Sequence, residues 1–548
     1  MANSGSGLAS GDVSRPGGAH SPIESEVATA KKRRGSGEQA YLAALALLAL
    51  AAGGTLWFAS QWGIGVSPDS VNYLKSAEKL LAGQGILSLN AHWPPGYPAL
   101  LAIASAFGSD LLQTTRLLHA SLYAANVLLF ASLAAPRTSR GRYFAFGGAL
   151  FFAASTLEVH FMAWSESPFV GLQLASTLLL ARRLSGGGSI GLWSSALLAG
   201  LSVMVRFAGF PFVATASLAI HVLDDGPMRA RLRRALAYAA IGCGPALGYL
   251  LANGWAQAGL HGRQFFFELP GADKWSPLLP DLLDWFGPES AWLGAFLGLA
   301  SVLVIAQRLR VGRAAARLSQ REAAFRVALV YLPAYALFIL AYMTFLDGWF
   351  RSGRILFPGL VFFTVALVVA GVGFADRGGR ATTWASGVLL AVLVACSVHA
   401  ADLRVRSLAS EGYGQLDRSA RALPILEALR RVELPLIYGN GPDLIYLHLG
   451  AASRMLPRHT LPETGRPNPA YAAEMRRLVE EVERGDAVIV IFSRFLWRTY
   501  LPPPTALEEQ HGMKAAYRAR DGIVYTARGR PLRRVARSGN AGGSSQSD

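Results

Sequence analysis

Apolar runs of bilayer length recur along this chain, and no other feature limits its fold so strongly. Residues 41–60 carry no charge, and a run of about 20 residues is what a helix needs to cross a hydrocarbon core of roughly 30 Å. Comparable runs follow at about 112–134, 143–157, 165–183, 189–205, 208–223, 235–257, 290–307, 325–346, 355–374 and 382–400. About eleven spans make this an α-helical polytopic membrane protein. Composition agrees: 52% hydrophobic and 16% charged residues, with a mean hydropathy of +0.32, are too apolar for a soluble chain of 548 residues.

A formal net charge of +17 raises the question of nucleic acid, and the placement of the cations answers it. Lys31, Lys32, Arg33 and Arg34 precede the first span; Arg137, Arg140 and Arg142 follow the second; Arg182 and Arg183 follow the fourth. The pattern continues with Arg229 to Arg234, Arg308 to Arg326, and Arg377 with Arg380. Every second loop is basic, which the positive-inside rule assigns to the cytoplasm. The N-terminus is thereby expected in the cytoplasm and the C-terminal region on the far side. The basicity records topology, and no nucleic-acid partner is expected.

Cys243 and Cys396 both fall in predicted spans, so neither a disulfide framework nor a zinc cluster is available. Residues 1–40 read as a disordered cytoplasmic tail and 41–60 as a retained anchor rather than a cleaved signal. The transmembrane domain covers 41–400, with a first outer loop at 61–98. After Ala400 the hydrophobic runs shorten and charge becomes frequent, so 401–530 is expected to form a small extracytoplasmic α/β domain. Its strands are read at 435–439, 487–492 and 522–527, with an amphipathic helix at 469–484. Residues 531–548 form a disordered tail.

The first outer loop carries the densest chemistry. Ser67-Pro68-Asp69-Ser70 is a helix start: Ser67 caps, Pro68 suits the first turn and Asp69 lies at the positive end of the dipole. Val71, Leu74, Ala77 and Leu81 share one face, and Gly83 closes the helix, which is expected to lie on the membrane surface. Helix capping alone would account for Asp69. Trp93-Pro94-Pro95-Gly96-Tyr97-Pro98 cannot be regular helix or central strand and reads as a rigid turn before a short re-entry at 99–107. Trp93 and Tyr97 suit interfacial anchoring as well as substrate contact.

The pattern D-S-x-x-Y-L-x-x-A-x-x-L-x-x-G-x-G, from Asp69 and Tyr73 onward, leads into W-P-P-G-Y-P. It resembles the first outer loop of GT-C glycosyltransferases, nearest to the bacterial branch similar to dolichyl-phosphate-mannose protein mannosyltransferases and the lipid A aminoarabinose transferase. Trp164-Ser165-Glu166-Ser167-Pro168-Phe169 resembles the second outer loop of that family, Met204 to Gly209 its R-aromatic-x-G turn, and Arg354 to Pro358 its late R-aromatic segment. Tyr438-Gly439-Asn440-Gly441-Pro442-Asp443 with Tyr446 resembles the start of its outer domain. Many members carry two adjacent acids in the first loop, whereas Asp69 is followed by Ser70, and Glu166 is the candidate for the second carboxylate.

The resemblance implies a sugar donor joined through phosphate to a polyprenyl lipid, and a lipid, glycan or protein acceptor, in the inner membrane of a bacterial cell. Asp69 would take the acceptor proton and Glu166 would orient acceptor or sugar. Arg206, with Arg351 or Arg354, would hold the leaving phosphate. Tyr73, Trp93, Tyr97 and His160 would line the substrate loop. Attack opposite the leaving group would invert the anomeric centre. The cost of charge near hydrocarbon singles out Glu166, Arg206, Arg351 and Arg354 independently, since all lie where spans turn on the outer side. Snorkelling accounts for any one arginine, but three on the outer side run against the positive-inside trend.

Glu158 and His160 leave a divalent metal open, but without a recognisable third ligand they read as a polar loop. The 258–289 loop, with His261, Arg263, three phenylalanines at 265–267, Glu268, Asp273 and Lys274, reads as interfacial, a lipid entrance or an anchor. Gly186-Gly187-Gly188 has no strand before it and no lysine after it, so a nucleotide-sugar donor is disfavoured. The rival reading is a transporter or lipid flippase, which would show matched repeats and charges within the spans. Here the span interiors are nearly uncharged.

Overall fold

The computed structural model describes residues 22–89, 93–107, 110–253, 267, 269–287, 290–311, 318–345, 353–377, 379–433, 435–461 and 466–526. Helix α1 (Pro22–Ala59) starts inside the stretch expected to be a disordered tail. It is followed by α2 (Pro68–Leu81), α3 (Gly96–Ser105), α4 (Leu111–Ala134), α5 (Ser139–Phe161), α6 (Glu166–Leu184) and α7 (Ser189–Val205). Next come α8 (Phe210–Leu223), α9 (Met228–Ala252), α10 (Leu278–Phe286), α11 (Ala291–Val311), α12 (Gln320–Phe345), α13 (Phe357–Arg377) and α14 (Arg380–Glu411).

Eight of the described helices are long and apolar enough to cross a membrane. The other predicted spans, 165–183, 189–205 and 208–223, are helices too: α7 and α8 are shorter, and α6 carries Glu166, Arg182 and Arg183. The span opening at Arg354 is the most enclosed, with 78% of its apolar window buried, because α13 is walled by α4, α5, α6, α11 and α12. Its run from Phe357 to Ala375 is almost wholly apolar, as a helix surrounded by other helices must be. By contrast α14 is peripheral, and it continues past the expected domain boundary at residue 400 as far as Glu411.

The small C-terminal domain is a five-stranded sheet of order β2-β1-β3-β5-β4, with β1 (Leu436–Gly439), β2 (Ser453–Met455), β3 (Ala487–Phe492), β4 (Lys514–Ala519) and β5 (Gly522–Thr526). Strand β1 runs parallel to β2 and β3, while β5 is antiparallel to β3 and β4. All of β3 is buried, and its side chains alternate between two cores: Val488, Val490 and Phe492 on one face, Ala487, Ile489 and Ile491 on the other. A continuous apolar run is what a strand covered on both faces requires. Helix α16 (Tyr471–Arg484) closes the second face with Met475, Leu478 and Val482. On the first face lies α15 (Pro442–Leu449), through Leu444 and Ile445.

Two backbone ties fasten the segment before α2. The Gly65 amide donates to Phe161 O at 3.0 Å and the Ala163 amide to Gly65 O at 2.8 Å. One residue on, Val66 O accepts from the Gln415 amide at 2.8 Å. A Cβ on Gly65 would stand 2.4 Å from Met162 Sδ, so a larger residue here would have to displace the Met162 side chain. The long loop between α1 and α4 is thereby joined at its root to the α5–α6 turn and to the entrance of the C-terminal domain.

The apolar face of the helix expected to lie on the membrane surface is covered by protein. Val71, Tyr73, Leu74 and Ala77 of α2 enter the main protein core, and α2 meets α15, where the Lys75 ammonium stands 4.4 Å over the Tyr446 ring. An amphipathic pattern specifies a buried face without saying whether protein or lipid covers it.

Candidate active site

Each charged group of the site sits at the end of a helix, where the turn geometry holds its backbone. Ser67 caps α2 reciprocally with Ser70: the Ser70 amide donates to Ser67 Oγ at 3.3 Å and the Ser67 amide to Ser70 Oγ at 3.1 Å. That places Asp69 in the first turn, and Gly83, at φ +77°, ends the helix as expected. Glu166 opens α6, Arg206 follows the last residue of α7, and Arg354 lies in the single 3-10 turn that leads into α13.

These four residues meet. Arg354 Nη2 is 2.6 Å from Asp69 Oδ2, and its Nε is 2.5 Å from Glu166 Oε1. The same Glu166 oxygen is 2.8 Å from Arg206 Nη1. Two carboxylates and two guanidiniums thus form a neutral cluster. The match is needed, because the Glu166 side chain is only 1% exposed and an unpaired charge there would be strongly destabilising. Asp69 is the open member, 34% exposed. Arg354 also stacks on Trp164, 4.6 Å from the ring centroid, and the Trp164 indole donates to Ser67 Oγ at 2.8 Å.

Ser165 was not singled out from sequence, yet it links the parts. Arg206 Nη1 donates to Ser165 Oγ at 2.9 Å, and the Tyr73 hydroxyl is 3.2 Å from the same oxygen. Burial, and next the charge of Asp69, push the Tyr73 phenol up to about 12, so it stays a neutral donor. Tyr73 packs edge-on against Tyr97, centroids 5.0 Å apart, and against Trp93 at 6.3 Å.

The proline-rich turn is tighter than expected, since helix α3 already begins at Gly96 and holds Pro98 in its first turn, where a missing amide is harmless. A Cβ on Gly96 would be 2.6 Å from Met204 O, so this glycine lets the turn press against the end of α7 just before Arg206.

His160 is not on a loop. It lies in the last turn of α5, fully buried, with Nδ1 2.9 Å from Thr156 O and Nε2 2.9 Å from the Asn126 amide nitrogen. Tyr97 bonds to His119 Nε2 at 2.7 Å, and His119 Nδ1 reaches His160 O at 3.0 Å. This buried polar chain ties α3, α4 and α5 together behind the charged cluster. Glu158 turns the other way and pairs with Arg404 at 2.9 Å, so Glu158 and His160 do not converge on one metal position. Among the described residues no group of three His, Cys, Asp or Glu side chains is placed to hold a metal. Arg351, His261, Arg263 and Glu268 lie outside the described residues, as do Phe265 and Phe266.

Arg354 also borders a cavity of about 450 Å³ between α5, α10, α13 and α14. Its walls combine apolar Leu157, Trp285, Phe357 and Leu360 with the carboxylates Glu158, Asp281 and Asp284, and Arg404, paired with Glu158, also lines it. Arg404 went unnoticed in the sequence because its helix was taken to end at residue 400. Through Arg354 the charged cluster thus borders a hollow with apolar and charged walls, where a guanidinium stands beside aromatic and aliphatic side chains.

No protein-family model and no curated protein sequence matches the chain. Solved structures do. ArnT from Cupriavidus metallidurans in the apo state superposes with a TM-score of 0.58 at 13% identity, over 88% of this chain and 98% of that one. ArnT from the same organism bound to undecaprenyl phosphate gives 0.57 at 14%, over 88% and 97%. The chain has the GT-C fold. A GT-C oligosaccharyltransferase from Archaeoglobus fulgidus, solved with Zn and sulfate, matches at a TM-score of 0.50 and 14% identity, over 88% of this chain and 73% of its own. A likeness at this identity concerns the backbone, so what the GT-C scaffold does here rests on its own residues.

Proposed function

We propose that this protein is a membrane glycosyltransferase that moves a sugar from a polyprenyl-phosphate donor to an acceptor on the extracytoplasmic face, with inversion at the anomeric carbon. The observation that carries the reading is Arg354, shared between Asp69 and Glu166 beside a cavity walled in part by Leu157, Trp285, Phe357 and Leu360. ArnT, whose fold this chain shares, has been solved with undecaprenyl phosphate bound, which is the class of carrier invoked here. The positive-inside pattern puts Asp69 on the outer face and the N-terminus in the cytoplasm of a bacterial inner-membrane protein.

In this mechanism the lipid tail occupies the cavity and the donor phosphate meets Arg354, with Arg206 and Arg404 nearby. The phosphate competes with Asp69 for the Arg354 guanidinium. Asp69, released from its ion pair, is then a better base. It accepts the proton of an acceptor hydroxyl or amine as that atom bonds to the anomeric carbon, and the bond from that carbon to the phosphate oxygen breaks on the opposite side. The polyprenyl phosphate leaves with one additional negative charge, which the arginines stabilise. Glu166 is too buried to touch an acceptor, so it acts as a positioning residue that holds Arg206 and Arg354 in place. Tyr73, one turn on from Asp69, packs edge-on between Trp93 and Tyr97, which holds the helix that carries Asp69.

Purified protein reconstituted in vesicles with a panel of polyprenyl-phosphate sugars tests the reading. Donor loss and matching appearance of polyprenyl phosphate, by mass spectrometry, are expected for at least one sugar and absent for Arg354→Gln. Donor carried across the bilayer without bond cleavage would instead identify a flippase.

A further inference from the structure

The opposite end of the bundle holds a second cavity, of about 510 Å³, between α1, α4, α5 and α6. Three arginines, Arg137, Arg142 and Arg182, line it together with one carboxylate, Glu38. Several other cations at this end are matched with carboxylates. Arg183 and Arg234 clamp Asp224 at 2.9 and 2.6 Å, Arg308 holds Glu322 at 2.5 Å, and Arg321 holds Asp376.

The three cavity arginines are not so matched; the exposed Arg140, Arg229 and Arg233 are also unmatched among the described residues, but they do not line the cavity. Among the described residues, neither the Arg137 nor the Arg182 guanidinium lies within ion-pair distance of a carboxylate, and Arg142 has only Glu38, at 4.0 Å and 65% exposed. The nearby Asp376 is already engaged by Arg321, the Thr138 hydroxyl and two backbone amides. Three guanidiniums against the single carboxylate of Glu38 leave the hollow with an excess of positive charge, which an anion in it offsets.

The rest of the lining narrows the anion's nature. The Tyr41 hydroxyl is buried with no hydrogen-bond partner among the described residues, a donor left over in the same wall. Leu45 is buried there, while Leu42 is 56% exposed and faces outward from α1. The hollow thus joins a cationic floor to an apolar flank at the end of the spans, the depth of a phospholipid headgroup.

We infer that this cavity binds the phosphate of an anionic membrane lipid, with the acyl chains along the Leu42 flank. Guanidinium forks match phosphate oxygens, and the positive-inside pattern places the site in the cytoplasmic leaflet. It lies across the membrane from Asp69 and does not depend on the reaction proposed there.

The test uses the delipidated full chain, with phosphatidylglycerol, phosphatidylcholine and inorganic phosphate as separate probes, read by native mass spectrometry and thermal melting. Phosphatidylglycerol is expected to be retained and to raise the melting temperature, phosphatidylcholine to do neither. The variant R137Q/R142Q/R182Q should lose retention at least tenfold. R140Q/R229Q/R233Q, which removes as much charge at the same end but outside the cavity, should keep it. If the cavity triple variant misfolds, Arg182→Gln alone, at an exposed position, should still lose about threefold. Equal retention by the parent and the cavity variants would overturn the proposal, as would equal loss in the control triple. An identical rise from inorganic phosphate alone, with no gain from lipid, would overturn the lipid assignment.

Discussion

Asp69 and Arg354 stand 285 positions apart in sequence and 2.6 Å apart in space, and Arg354 also lines the neighbouring cavity. Arg354 uses Nη2 for Asp69 and Nε for Glu166, so its planar fork addresses two carboxylates from different helices. A lysine has one ammonium on a flexible stem and cannot hold both. Arg354→Lys is therefore expected to keep its charge yet lose at least roughly tenfold in kcat/KM, a loss of about 1.4 kcal/mol of transition-state stabilisation. Arg354→Gln should also lower stability, by up to about 3–5 kcal/mol, because Glu166 keeps only one cation. Chemical denaturation in mixed micelles measures this.

Glu166 is assigned to holding the guanidiniums. Glu166→Gln keeps the volume but removes the charge that matches Arg206 and Arg354. It should weaken donor binding more than it slows chemistry, with KM rising several-fold. A pure kcat defect in steady-state kinetics would instead mean that Glu166 touches the reacting atoms.

Gly96 supplies a prediction that changes no charge. An alanine methyl there would sit 2.6 Å from Met204 O, and backbone cannot give way as a flexible side chain can. Gly96→Ala is expected to destabilise by about 1–3 kcal/mol through overpacking. It should also lower activity by displacing the turn that carries Arg206. Phe107→Ala, on a 91% exposed side chain of the same loop, is the control and should leave activity unchanged.

Much of this arrangement was legible because the membrane penalises charge. Glu166, Arg206 and Arg354 are ionisable groups at span ends on one side, Asp69 is marked by the resemblance of its loop, and the four meet in one cluster. The capping signal at Ser67 and the apolar run of β3 were equally readable, since each rests on local chemistry. Contacts between distant segments were not. Nothing near Ser165 announces that Tyr73 and Arg206 share its hydroxyl. Arg404 was assigned to the soluble domain because its helix outruns its apolar stretch. Strands β2 and β4 escaped notice because they are sheet edges, half exposed and mixed in polarity, without the alternation that marks a covered strand.

Asp443, at the start of α15, predicts a pH effect. Burial raises its carboxyl above the ordinary 3.8, and the cations Arg498 and Lys75 only partly offset this. The unfolded chain therefore releases this proton at lower pH than the folded one. Its ionisation destabilises the fold, a loss that begins as pH rises through 3.8 and is complete above the folded value. Relative to the parent, Asp443→Asn should melt higher at about pH 7.5 than at about pH 4. Thermal melting across that range checks it, and a gap of the opposite sign would refute it.

The most direct measurement concerns Asp69. With Asp69→Asn the cap on α2 survives, because it belongs to Ser67 and Ser70. Turnover and donor affinity should then move in opposite directions. Transfer from a polyprenyl-phosphate sugar is predicted to fall roughly 10²–10⁴-fold at normal protein level, as expected for loss of a general base. Polyprenyl phosphate should bind at least as tightly as before, because Asp69 no longer competes for Arg354. Retained turnover, or donor affinity collapsing together with it, would contradict the account.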